Sequence, residues 1–233
     1  MSALIRELLI AVIPVVLAIT LHEAAHGYAA LALGDDTAKR MGRLSLNPIA
    51  HIDRFGTIIL PGFLLIAQLL TIHRIAFMFG WAKPVPVDAR RFRDPRRGMM
   101  VVAAAGPAMN FLLAWIAALL LPGWALIGLG PLPFWVEMLQ LFLLANLVLG
   151  LFNLIPIPPL DGGRIAVGLL PLELARRWAR LERAGIIIVL LVVFLLPAVL
   201  REAGIAFDPV GAALQTVVPW SMRVVLNLAG HHV

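Results

Sequence analysis

The stretch His22-Glu23-Ala24-Ala25-His26 lies inside the first apolar run of the chain, and its reading decides the rest. On a helix the two histidines, four residues apart, share one face about one turn apart. Imidazoles so placed can share a tetrahedral zinc, and the carboxylate between them can reach a water on that metal. From Leu8 to Leu33 the only strongly polar side chains are Thr20, His22, Glu23, His26 and Tyr28. Ionisable groups in a helix of lipid-spanning length are expensive and face a protein interior, a cavity or a metal. A polar cluster that merely glues helices together is the competing reading. Zinc accounts for all three residues, and glue does not.

Composition agrees with a membrane setting. Of 233 residues, 61% are hydrophobic and only 14% charged, where a soluble domain is nearer half and a quarter. The expected fold is therefore an all-α polytopic membrane protein, one domain over residues 1–233, with five to six transmembrane helices. Cysteine is absent, which removes disulfides, thiolate metal sites and cysteine nucleophiles together. Any metal must then use His, Asp or Glu. The net charge of +6 comes in short basic blocks between apolar runs. That distribution suits cytoplasmic loops facing anionic lipid better than a nucleic-acid surface, so no nucleic-acid partner is expected.

The spans follow in order. The first runs from Ala3 to Leu33 and stops at Gly34-Asp35-Asp36. Arg43 to Leu46 alternates in the manner of a short strand, and Gly42–Leu46 and Val85–Val87, the latter in the Pro-rich segment after Trp81, are the candidate edges. Thr57 to Phe79 is apolar but interrupted by Pro61-Gly62. A basic loop carries Arg90, Arg91, Arg93, Arg96 and Arg97. Met99–Leu121 is a clear span whose Ala103-Ala104-Ala105-Gly106 permits close approach of a neighbour, with Asn110 one turn deeper than Gly106. Phe134–Ile155 follows, then a second basic loop from Arg164 to Arg183. Further spans are expected at Gly185–Leu200 and Pro209–Leu228.

A catalytic zinc takes three protein ligands and keeps one position open. The third must come from His51, Asp53, His73, Glu137, Asp161 or Asp208. Asp161 stands out because Pro156 to Pro159 cannot continue a helix. Unwound backbone at membrane depth is tolerated only inside protein or beside a wet cavity. Spacing alone leaves it open whether Asp161 is a ligand or caps a helix beyond a loop.

The pair of motifs, His22-Glu23-x-x-His26 and Asn153-x-x-Pro156-x-Pro158-x-Leu160-Asp161-Gly162, resembles the site-2 protease family of intramembrane zinc metalloproteases. Ala105-Gly106-Pro107-x-x-Asn110 is similar to that family's middle core helix. The likeness covers roughly residues 1–170, leaving additional C-terminal helices at about 184–228. It implies one zinc per chain on His22, His26 and Asp161, Glu23 as general base, and Asn153 in handling the substrate backbone. It also implies a transmembrane protein as substrate. Ala25 stands where the family often has glycine, and no PDZ or CBS module is visible. A membrane metal transporter and a non-catalytic zinc-binding scaffold are the alternatives. Against transport, Glu23 sits where a general base belongs, and no inverted repeat is visible.

Depth constrains topology. His22 lies near the end of its span and Asp161 lies past the end of Phe134–Ile155, so the two helices must run in the same direction to share a metal. Placing the basic loops in the cytoplasm puts the N-terminus outside and the zinc near the cytoplasmic face. Residues 57–79 then cross an even number of times and are expected to re-enter. The expected location is a prokaryotic cell (inner) membrane.

Overall fold

The computed structural model describes residues 3–71, 73, 80–126, 132–205 and 207–232. The elements are α1 (Ala3–Ala32), α2 (Arg54–Thr71), α3 (Pro95–Leu120), α4 (Phe134–Asn153), α5 (Asp161–Leu169), α6 (Leu172–Arg180), α7 (Gly185–Glu202) and α8 (Pro209–Leu228), joined by short helical turns and coil. α1, α2, α3, α4 and α7 are long and apolar enough to cross a membrane, which makes this a multi-pass membrane protein. α8 forms over the expected residues but is not one of those five, since Gln215, Thr216, Ser221 and Arg223 dilute its apolar character.

Three helices carry the architecture. At one end Arg6 of α1 pairs with Glu137 of α4 at 2.7 Å and donates to the Leu132 carbonyl. At the other end His22 meets Asp161, just beyond α4. α1 and α4 therefore run parallel, as the shared-metal argument requires. α3 runs the opposite way between them: Asn110 reaches the Ala18 carbonyl, and Val102, two turns earlier, reaches His26. Buried Ala103, Gly106, Ala114, Ala117 and Ala118 line α3 and let its neighbours approach closely. At the end remote from His22, Leu143 and Leu147 pack with Ala114, Ala117 and Ala118, and α8 adds Val225 and Leu226.

Some boundaries differ from expectation for identifiable reasons. α3 begins at Pro95 rather than Met99 because Asp94 caps it, accepting from the N–H groups of Arg96 and Arg97, with Pro95 in the first helical position. Arg96 and Arg97 are thus first-turn residues, and Arg96 donates to the Leu170 carbonyl at 2.7 Å. Pro61-Gly62 does not interrupt its helix. The six residues Arg54–Ile59 form a π-turn, and the helix then continues through Pro61. The same device recurs in α7, where the π-turn Leu191–Leu195 precedes Pro197. In both, the wide turn ends two residues before the proline. It carries the carbonyl one turn back out of the way of the proline ring. The re-entry expected of 57–79 involves residues 72 and 74–79, which lie outside the described residues.

The short β-strands expected near the active site do not form among the described residues. Arg43 instead sends its guanidinium to the carbonyls of Lys83 (3.0 Å) and Pro84 (3.4 Å). The Trp81 N–H donates to Gly56, that of Lys83 to His51, and that of Val85 to the Glu23 carboxylate. Pro84 and Pro86 have no N–H to give. From Lys83 to Pro86 every backbone donor is thus absent or already engaged, so no ladder can form there. The segment 81–88 is a strap pinned at successive points to different elements.

Candidate metal centre

α1 presents His22 and His26 one turn apart, with ring centroids 4.7 Å apart and planes nearly perpendicular. Their space is left by Gly106 on α3. A Cβ there would stand 2.5 Å from the His26 ring and 2.6 Å from His22. Each imidazole is held from behind through Nδ1. His26 faces the Val102 carbonyl at 2.7 Å, and His22 faces the Asn110 side-chain oxygen at 2.5 Å. Both partners are acceptors, so each Nδ1 carries the proton and each Nε2 is left with a bare lone pair.

Asp161 completes the group. α4 ends at Asn153, and residues 154–160 form a run of tight turns that delivers Asp161 as the first residue of α5. Gly162 and Gly163 matter here for proximity. A Cβ on either would strike the backbone, of Leu154 and Ile155 in one case and of Ile157 and Pro158 in the other. The carboxylate is buried, and its Oδ2 lies 3.1 Å from His22 Nε2 and 3.4 Å from His26 Nε2, which are themselves 3.1 Å apart. Oδ2 has no hydrogen-bond donor. Three lone-pair atoms thus face one another in a buried triangle with no proton between them. That arrangement repels itself unless a cation sits among them. Around a tetrahedral zinc with Zn–N of about 2.0–2.1 Å, ligand atoms stand roughly 3.3 Å apart, which the triangle matches. The residues fit zinc.

The other sequence candidates have different partners. His51 bonds the Ser45 carbonyl, Asp53 and Asp208 cap α2 and α8, and Glu137 pairs with Arg6. His73 is exposed. Glu23 points along the strap side, its Oε2 accepting from the Val85 N–H at 3.2 Å. One of its carboxylate oxygens lies within 4.8 Å of a ring nitrogen of each of the two histidines. His22, Glu23, His26 and Asp161 border a cavity of about 700 Å³, lined on another side by residues of the segment 80–87. Asn153 is in the wall of the same cavity, its amide nitrogen engaged by the Leu149 carbonyl at 3.0 Å.

Sequence reasoning noticed Asn110 but gave it no partner, and it missed Asn146 altogether. Both are fully buried and joined by a 2.8 Å hydrogen bond. The available signal was an asparagine alone in an apolar span, which in lipid is a reason to look for a polar partner.

A two-histidine, one-carboxylate donor set with a second carboxylate beside it is the donor chemistry of a metallopeptidase, and here helices long and apolar enough to cross a membrane surround it. The comparisons agree. The family model described as Peptidase family M50 matches residues 130–198. A protein of Bacillus subtilis (strain 168) named "Putative zinc metalloprotease YwhC" is 42% identical over 190 residues, covering 80% of each chain. No solved structure matches significantly. The chain belongs to peptidase family M50, the site-2 protease family.

Proposed function

We propose that this protein is an intramembrane zinc metalloendopeptidase that cleaves polypeptides within or near their transmembrane segments. The observation that carries the reading is the convergence of His22, His26 and Asp161, lone pair to lone pair, beside Glu23 in a cavity among membrane-length helices. His22, His26 and Asp161 would hold one zinc per chain. When bound, zinc polarises a scissile carbonyl and makes water acidic enough to yield a nucleophile near neutral pH.

The chain's own groups do the rest. The Val85 N–H holds one oxygen of Glu23, leaving the other to take a proton from the attacking water and return it to the leaving amide nitrogen. Asn153, in the cavity wall, handles the substrate backbone. The strap lines one side of the cavity and brings its Val85 N–H to Glu23. The parallel course of α1 and α4 supports the topology in which the N-terminus is outside and the site lies near the cytoplasmic face. The substrates are single-pass membrane proteins or signal-peptide remnants in a prokaryotic cell membrane.

Zinc content measured together with cleavage of a membrane-embedded reporter tests the reading. Glu23→Gln should keep its zinc and lose about 10² to 10⁴ in rate, while His22→Ala should lose zinc and activity together. A Glu23→Gln protein that cleaves at the unaltered rate, or a His22→Ala protein with full zinc, would overturn it.

A further inference from the structure

Behind His22 stands a polar chain that no packing need explains. The Phe142 carbonyl accepts from Asn146 Nδ2 at 2.8 Å, Asn146 Oδ1 accepts from Asn110 Nδ2 at 2.8 Å, and Asn110 Oδ1 faces His22 Nδ1 at 2.5 Å. Asn110 Nδ2 also points to the Ala18 carbonyl at 3.4 Å. Asn110 and Asn146 are both 0% exposed, so water cannot take the place of a missing partner.

The direction of this chain is forced from its far end. A backbone carbonyl only accepts, so the Asn146 amide must turn its nitrogen to Phe142 and its oxygen to Asn110. Asn110 must then turn its nitrogen to Asn146 and its oxygen to His22. His22 Nδ1 must therefore carry the proton, which leaves Nε2 bare and facing Asp161 and His26. We infer that Asn146, acting through Asn110, fixes the proton of His22 on Nδ1 and so keeps bare the Nε2 that faces the metal centre, which makes it a positioning residue for zinc affinity.

The inference rests on the metal reading given above. His26 supplies the contrast within the same site, since its Nδ1 meets the Val102 carbonyl directly with no side chain between. One ligand is thus oriented by backbone, and the other by a relay that mutation can break. If Asn146 is replaced by an apolar residue, Asn110 loses its strongest acceptor and is held only by the long 3.4 Å contact to the Ala18 carbonyl, so its amide can flip. Its nitrogen can then face His22, which favours the tautomer whose Nε2 carries a proton and cannot bind metal.

The test is a zinc titration of the detergent-solubilised full chain against a competing chromophoric chelator. Asn110→Leu should weaken zinc binding about 10- to 100-fold, the range for lost outer partners of metal-bound histidines, and Asn146→Leu by about 10-fold. The double variant should bind no more weakly than Asn110→Leu alone, because both act through one link. Asn110→Asp keeps an acceptor toward His22 and should stay near the affinity of the unaltered chain. Leu147→Ala, in the same helix and fully buried but outside the relay, should leave affinity unchanged. Should Asn146→Leu not accumulate, Asn146→Ala serves in its place. Unaltered affinity in the Asn146 variant, additive losses in the double variant, or an equal loss in Leu147→Ala would each overturn the relay while leaving the metal reading intact. Failure of the unaltered chain to bind zinc would remove both.

Discussion

α1 and α3 differ from α2 and α7 in how they meet their surroundings, although all four are of membrane-spanning length. In α1 and α3, 33% of the most apolar stretch is buried inside the protein; in α2 the share is 11% and in α7 18%. The site-bearing helices bury Thr20, His22 and Asn110 and accept prolines, Pro14 and Pro107, within regular α-helix. The peripheral helices each wind a π-turn ahead of their proline. The contrast teaches that shape is constrained where helices face each other, and helix winding is free to adjust where they face lipid. Between helices, a glycine or an asparagine fits one neighbour and no other. Against lipid, any apolar side chain finds an equivalent environment.

Gly106→Ala is the strongest way to break that contrast. Its methyl would stand within 2.6 Å of both imidazoles, so α3 must retreat or the histidines must turn. Zinc should be lost altogether, as read by metal analysis of the purified protein. Full zinc occupancy in this variant would mean that the helix contact is far softer than described.

Leu147→Ala comes next. Leu147 is fully buried where α4 meets α3, and truncating it leaves a cavity. The expected loss is about 2–5 kcal/mol of stability, measured by denaturation in detergent, with zinc affinity unchanged.

Asp35 sharpens the comparison at the boundary between the core and the strap. It is 1% exposed, accepts from the N–H groups of Thr37 and Asp88 and from the Thr37 hydroxyl, and forms an ion pair with Arg91 at 3.6 Å. Burial alone would raise its pKa, but these donors and the Arg91 charge outweigh it and hold the carboxyl below the usual range. A group whose folded pKa is depressed contributes stability above its unfolded pKa of about 3.9 and loses it as pH falls through the folded value. The Asp88 amide should therefore exchange slowly at neutral pH and lose protection only in strong acid. Asp35→Asn should raise that exchange already at neutral pH, at a cost of about 1–3 kcal/mol for the misplaced amide. Hydrogen exchange of residues 86–90 reads both.

Leu70→Ala should do least. Leu70 is 75% exposed on α2, and its truncation should stay within about 0.5 kcal/mol. A loss comparable to that of Leu147→Ala would show that α2 packs on a partner, and the comparison would fail.

Much of this was legible in the sequence because the constraints were local or forced. Two histidines four apart on an apolar helix, and prolines that must unwind the chain before Asp161, state their geometry without help from the rest of the fold. The parallel course of α1 and α4 followed from asking both to reach one metal. The strand expectation failed because alternation at Arg43–Leu46 says nothing about where backbone donors go. Those of the strap are taken by Gly56, His51 and Glu23. The early start of α3 was written in Asp94-Pro95 but hidden by the run of arginines around it. The π-turns left no mark, since only the surrounding helix decides whether a proline breaks or bends it. The partnership of Asn110 with Asn146 is a contact between two separate spans, and periodicity within one span cannot report it.

The order of the chain also sets an order in time. His22, Glu23 and His26 all leave the ribosome early, while Asp161 follows His26 by 135 residues. At about 5–20 residues per second that interval is about 7–27 s. During it the first helix already carries both imidazoles, yet α4 and the turn that delivers Asp161 do not exist. The buried group of His22, His26 and Asp161 cannot form until the bundle around it has been made, so the nascent protein holds both imidazoles and the Glu23 carboxylate without Asp161 to face them.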